Sequence, residues 1–273
     1  MSPTTRTKTR RGPRASSKPK RRRQEPRTPD LTDRMTIRER PSGPSILQQT
    51  WDKLLFMHWQ VPVETLRPLI PPCLGIDTYH GAAWIGVTPF TIRDSRPAFV
   101  PPLPWLSAFH EINVRTYVHL NGVPGVWFFS LDASSRVAVM AARTFFHLPY
   151  HTADITLEDE ARRIHVRSSR RDSDLPAELS ATWSPYPEAH HAEPGSLEFF
   201  WVERYCLYSA FENTLYRARI FHQPWPIRDV SLANYTTSLF EPLGISVEQD
   251  KAKLLAAGPV DAEIWPVEEV AVF

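Results

Sequence analysis

Residues 108–133 read AFHEINVRTYVHLNGVPGVWFFSLDA, and the order of side chains in this stretch decides the fold. Aromatic and β-branched residues dominate on both sides of Asn121-Gly122. That pair suits a two-residue hairpin turn, because both central positions of a type I′ turn need positive φ. The stretch is therefore expected to be a hairpin in which 108–120 pairs with 125–133. On its first arm Glu111, Asn113, Arg115 and Tyr117 fall on one face, while Ile112, Val114, Thr116 and Val118 fall on the other, since side chains alternate along a strand. A solvent-facing strand gives the same alternation. Spacing alone leaves two readings, a wet outer face or the polar wall of a cavity.

The same vocabulary recurs outward from the hairpin. Strands are expected at Thr50–Trp59, Ala83–Ile92, Ile155–Leu157, Arg163–Ser169, Leu179–Trp183 and Glu203–Tyr208. Proline supplies 27 of the 273 residues and glycine only 10, which leaves little room for long helices. Short helices are expected from Pro62 to the Pro71-Pro72 stop, over Ser135–Phe146 with Ser134 or Ser135 as cap, over Ser196–Trp201, and over Leu232–Leu239. The expectation is an α+β fold that is mainly antiparallel β: one closed barrel over 41–273 with a few flanking helices covering its apolar face.

Charge divides the chain. Residues 1–40 carry a net +10 and the remainder −8, giving the overall +2. The first forty residues have few large apolar side chains and are read as a disordered basic tail. Residues 6–27, with the run Lys18-Pro19-Lys20-Arg21-Arg22-Arg23, are the candidate contact for a polyanion or nucleic acid. The plainer and preferred readings are a solvated tail without a partner, or a true start at Met35. No apolar run approaches the ~18 residues that cross a bilayer, and no apolar stretch follows the Arg-rich start. The expected location is cytoplasmic, with no membrane partner. Cys73 and Cys206 are the only cysteines, read as small hydrophobes. The chain has no Gly-x-Ser-x-Gly, Gly-x-Gly-x-x-Gly or Walker pattern, so no nucleotide cofactor is expected.

WQVPVETLRPLIPPCLGID (Trp59–Asp77), followed by GAAWIGV (81–87), is similar to the opening of the uncharacterised YqjF-like (DUF2071) family. The resemblance extends through EINVRTY (111–117), GVWFFSLD (125–132), Glu203-Arg204-Tyr205 and His222-Gln223-Pro224-Trp225-Pro226, and covers about residues 48–245. It implies an acetoacetate decarboxylase-like fold, a cone-like antiparallel barrel around an internal pocket. In that decarboxylase two successive lysines follow a proline; one forms a Schiff base and the other lowers its pKa by like-charge repulsion. The equivalent stretch resembles Leu148-Pro149-Tyr150-His151, which puts Tyr150 and His151 at the lysine positions. None of the six lysines lies between residues 54 and 250. Schiff-base decarboxylation is therefore not expected, whatever the alignment.

The resemblance also implies that Glu111 is a kept pocket glutamate and that Arg143 matches an upstream arginine. It favours the cavity reading of the alternating strand. The candidate set is then Glu111 and Tyr150 as acid and base, with Arg115, Asn113, Tyr117, Arg143, His151 and Trp59 as ligand-binding residues. His147 and His151 have the spacing of two metal ligands on a helix face, but Pro149 lies between them, so no metal is expected. His58 reads as a core histidine, and His190-His191 as solvated. Three classes of function stay open: binding of a small organic carboxylate or carbonyl ligand, a hydrolase, lyase or isomerase using Glu111 and Tyr150, and polyanion binding through the tail. A homo-oligomer is left open as well.

Overall fold

Asn121 and Gly122 both take positive φ, 48° and 89°, and the chain reverses there as the dipeptide allows. The computed structural model describes residues 27–101 and 107–273. In chain order the strands are β1 (Leu47–Asp52), β2 (Leu54–Val61), β3 (Gly75–Ile76), β4 (Ala83–Pro97), β5 (Phe109–Leu120), β6 (Val123–Ala133), β7 (Tyr150–Glu160) and β8 (Arg163–Arg170). They continue as β9 (Glu178–Pro185), β10 (Cys206–Phe211), β11 (Thr214–His222), β12 (Ile227–Arg228), β13 (Val230–Thr237), β14 (Lys253–Ala257), β15 (Val260–Ile264) and β16 (Glu268–Val272). The helices are α1 (Leu31–Thr36), α2 (Val63–Leu66), α3 (Arg136–Phe146) and α4 (Leu197–Val202).

Seven strands close a barrel, in the order β1, β4, β5, β6, β10, β11, β15 and back to β1. The single strand expected over 50–59 is two, because Lys53 turns at φ 55° between β1 and β2. The long β4 pairs with β2 through its first half and with β1 through its second. From β6 the sheet also passes in parallel to β7, and β7, β8, β9 and β13 form an antiparallel layer.

That layer corrects two expectations. Ile112, Val114 and Val118 on the outer face of β5 pack in one core with Ile155, Val166, Leu179 and Trp183, so a second sheet, not helices, covers the barrel's apolar face. The helix expected at 232–239 is strand β13, paired with β9 from Thr237↔Leu179 to Asn234↔Thr182. Its Tyr-Thr-Thr run favours the pleated surface that β9 offers. The expected strand at 203–208 begins only at Cys206, after α4 ends at Val202.

The tail boundary expected at residue 40 also moves. Asp30 caps α1 through a capping box with Asp33. Arg34 donates to both oxygens of the buried Asp77, at 2.6 and 2.8 Å. Arg219 donates to the carbonyls of Ile37 and Glu39. Residues 27–40 therefore belong to the fold, while 1–26 and nearly all of the candidate polyanion stretch lie outside the described residues. Among the described residues no helix is long and apolar enough to cross a membrane.

Candidate functional site

Alternation along β5 turns Glu111, Asn113 and Arg115 into the barrel, where they line a cavity of about 550 Å³. Most of its wall is apolar: Phe56, Phe90, Phe109, Phe128, Leu131 and Ile220, with Ala138, Ala142 and Phe145 of α3 along one side. Ser135 caps α3, its hydroxyl accepting from the Ala138 amide at 3.3 Å. The helix ends at Phe146 with His147 in the left-handed conformation, so His147 and His151 share no helix face.

Beyond that end, Leu148-Pro149 lead into β7, whose first residues run parallel to β6 with Tyr150 opposite Leu131. Tyr150 enters the cavity and its hydroxyl donates to Glu111 Oε2 at 2.7 Å. Burial pushes the Glu111 carboxyl up to about 7, with Asp132 adding to the rise, against hydrogen bonds from Tyr150 and Asn113. The same burial, with Glu111 beside it, holds the Tyr150 phenol protonated well above its ordinary range.

Arg115 lies four residues further along β5, roughly 13 Å at the rise of a strand. Its guanidinium sits 5.1 Å over the Phe56 ring and 5.9 Å from that of Tyr117, and touches the Trp201 carbonyl at 3.5 Å. Among the described residues it has no ion pair, and its Nε is buried without a hydrogen-bond partner. Arg204 stands 4.5 Å from the same Tyr117 ring and pairs with Asp77 at 2.7 Å. Asp77 is shared with Arg34. Two guanidiniums, Arg34 and Arg204, thus share one carboxylate at this end, and Arg115 stands apart from it. Burial, then Arg115 and Arg204, hold His58 far below its usual pKa, hence neutral.

The remaining candidates separate. Tyr117 points inward but lies behind the cavity wall, donating to the Trp201 carbonyl at 3.0 Å with His58 Nε2 at 2.5 Å. Arg143 faces outward from α3, 48% exposed. It donates to the Tyr150 carbonyl at 2.6 Å and to Asp172 at 2.9 Å. Its effect on the cavity is to hold the main chain that presents Tyr150. His151 follows Tyr150 on a strand, so alternation sends it to the other face, where it meets Asp172 at 3.0 Å. Trp59 turns away likewise: its ring packs on Tyr235 and Phe240 in the outer core. The reading of 143, 151 and 59 as ligand contacts is corrected on these grounds. His222, Trp225 and Arg204 do line the cavity. Their one signal in the sequence was membership of the two late resembling segments.

The closed seven-strand barrel with few helices is the acetoacetate decarboxylase-like fold. Acetoacetate decarboxylase from Legionella pneumophila superposes with a TM-score of 0.59 over 86% of this chain and 92% of that one, at 13% identity. The enduracididine biosynthesis enzyme MppR complexed with pyruvate superposes at 0.58, over 86% and 94%, at 11% identity. Within that fold the chain belongs to the DUF2071 family, an uncharacterised conserved protein family whose sequence model matches residues 48–261. The uncharacterised protein YqjF of Bacillus subtilis (strain 168) is 40% identical over 229 residues, which is 84% of this chain and 94% of that one. Among the described residues no lysine lines the cavity.

Proposed function

We propose that the barrel binds a small organic acid, with Arg115 receiving the carboxylate. The observation that carries this reading is the Arg115 guanidinium, lining a largely apolar cavity with no carboxylate of its own among the described residues. Arg115 is half-buried, but its Nε is buried without a partner, a cost that an anion would offset, and a planar guanidinium matches a carboxylate in two parallel hydrogen bonds. Support also comes from the fold neighbour solved with pyruvate. The test is native mass spectrometry for a co-purified acid, followed by calorimetry on Arg115→Met. Losing a charge-assisted contact of roughly 1.5–3 kcal/mol should weaken binding by about 10- to 100-fold. Unchanged affinity for every acid that binds would end this reading.

A second reading is favoured by Glu111. A carboxyl lifted to about 7 exchanges its proton near neutrality, which suits a general acid or base. The reaction class is then proton transfer at a carbon beside a carbonyl. Deuterium exchange into an oxo acid, followed by NMR and lost in Glu111→Gln, is the measurement; no exchange above buffer leaves binding alone.

A further inference from the structure

The polar side chains that β5 turns into the cavity form a row. Glu111, Asn113 and Arg115 are successive inward residues of β5, spanning roughly 13 Å, and Thr88 of β4 stands directly opposite Asn113. Away from the row the wall is Phe90, Phe128, Leu131, Ile220 and Trp225. Three atoms of the row are buried without a hydrogen-bond partner: Thr88 Oγ1, Asn113 Oδ1 and Arg115 Nε. Buried polar atoms are ordinarily satisfied, so these are the atoms a ligand's polar groups would complete. The two ends also differ in kind. At one, a guanidinium calls for an anion; at the other, a protonated Glu111 can donate to the Tyr150 oxygen across the same contact, which frees the Tyr150 hydroxyl for a neutral oxygen.

A pyruvate-sized acid is short against that main-chain spacing. Resting on the organic-acid reading above, the geometry points to an elongated bifunctional ligand, an oxo or hydroxy carboxylic acid whose carboxylate meets Arg115 while its second oxygen meets the Tyr150–Glu111 pair. Subtracting a hydrogen bond at each end of the row leaves room for an apolar chain that places the second oxygen about six to eight carbons from the carboxylate. The apolar wall faces that chain. Asn113 and Thr88, midway, would accept from or donate to a further hydroxyl.

The test is calorimetry on the full chain with pyruvate, 4-oxopentanoate, 7-oxooctanoate and 10-oxoundecanoate, each long oxo acid beside the plain alkanoate of equal length. The expected result is tightest binding for 7-oxooctanoate, about ten-fold or more tighter than octanoate and than pyruvate, the size of one added hydrogen bond to a buried site. In Tyr150→Phe the ratio of 7-oxooctanoate to octanoate should collapse towards one. Arg115→Met should weaken both acids. Should Tyr150→Phe fail to fold, the length series on the native chain decides alone. Pyruvate binding as tightly as the longer acids, or octanoate as tightly as its oxo form, with Arg115→Met still weakening binding, would overturn the elongated ligand and leave the organic-acid reading standing. Acids that fail to bind, or bind regardless of Arg115→Met, would overturn both.

Discussion

Glu111 is held where burial penalises its charge more than its partners support it, and this has a measurable sign. Its folded pKa of about 7 lies above the ordinary 4.5, so the folded state holds the proton more tightly than the unfolded chain. Stability from this group is complete below about 4.5 and is lost as pH rises through about 7, a total on the order of 3 kcal/mol. Glu111→Gln keeps the shape and an acceptor for Tyr150 but removes the titration. Its melting midpoint is expected near that of the native chain at about pH 5 and several degrees higher at about pH 8.5; a difference independent of pH would show that the carboxyl does not titrate as its burial implies. Arg115 carries the opposite lesson. Alternation puts Glu111 and Arg115 on one face and the resemblance adds Arg143, which together invite an ion-pair cluster whose rupture would cost roughly 3–5 kcal/mol. Four residues of strand keep the first two apart, and Arg143 faces Asp172 outside. With no carboxylate left stranded and one positive charge fewer beside Arg204, Arg115→Met is predicted to cost less than about 1 kcal/mol in urea denaturation.

At the scale of elements the hairpin was legible because its signals are local. Alternation and the Asn121-Gly122 pair need only neighbouring residues. At Gly122, φ is 89° and an added Cβ would meet the Arg27 guanidinium, so Gly122→Ala is predicted to cost about 1–2 kcal/mol, measured by chemical denaturation; a neutral result would mean that the turn relaxes. What covers the outer face of β5 was not legible, since a sheet and a layer of helices ask the same apolar residues of it. For the same reason β13 reads as a helix on its own and is decided by β9 alongside. Tyr150 and His151 show the reverse case. The resemblance placed both in the pocket, whereas strand periodicity, had it been extended to 150, separates them onto opposite faces. Arg204 reaches the cavity because α4 stops at Val202 and the next three residues turn before β10, a geometry with no sequence period.

Over the whole molecule, the opposite charges of the first forty residues and the remainder partly meet inside the fold. Arg34 pairs with Asp77, Arg38 lies 3.6 Å from Glu203, and Arg40 is 2.6 Å from Glu263. An arginine-rich, proline-broken segment reads as a solvated tail because its partners are far away in sequence, and composition cannot count distant partners. Asp77 is the pair that matters most. Burial works against its charge, yet Arg204 and Arg34 together hold its pKa below the usual value, so its contribution to stability is present above about pH 4 and lost as pH falls further. A chain beginning at Met35 lacks Arg34 and the capping box at Asp30 and Asp33, leaving a fully buried carboxylate with Arg204 alone. Because one partner remains, the cost should fall somewhat below the range for orphaning a buried charge, on the order of 2–4 kcal/mol. The comparison is between chains beginning at residue 27 and at residue 35, with Arg34→Met isolating the pair. The loss is expected to persist in about 1 M salt, which screens an exposed pair such as Arg40–Glu263 but not a buried one. Equal melting midpoints for the two chains would show that Arg204 alone satisfies Asp77 and that residues 27–34 rest on the barrel without stabilising it.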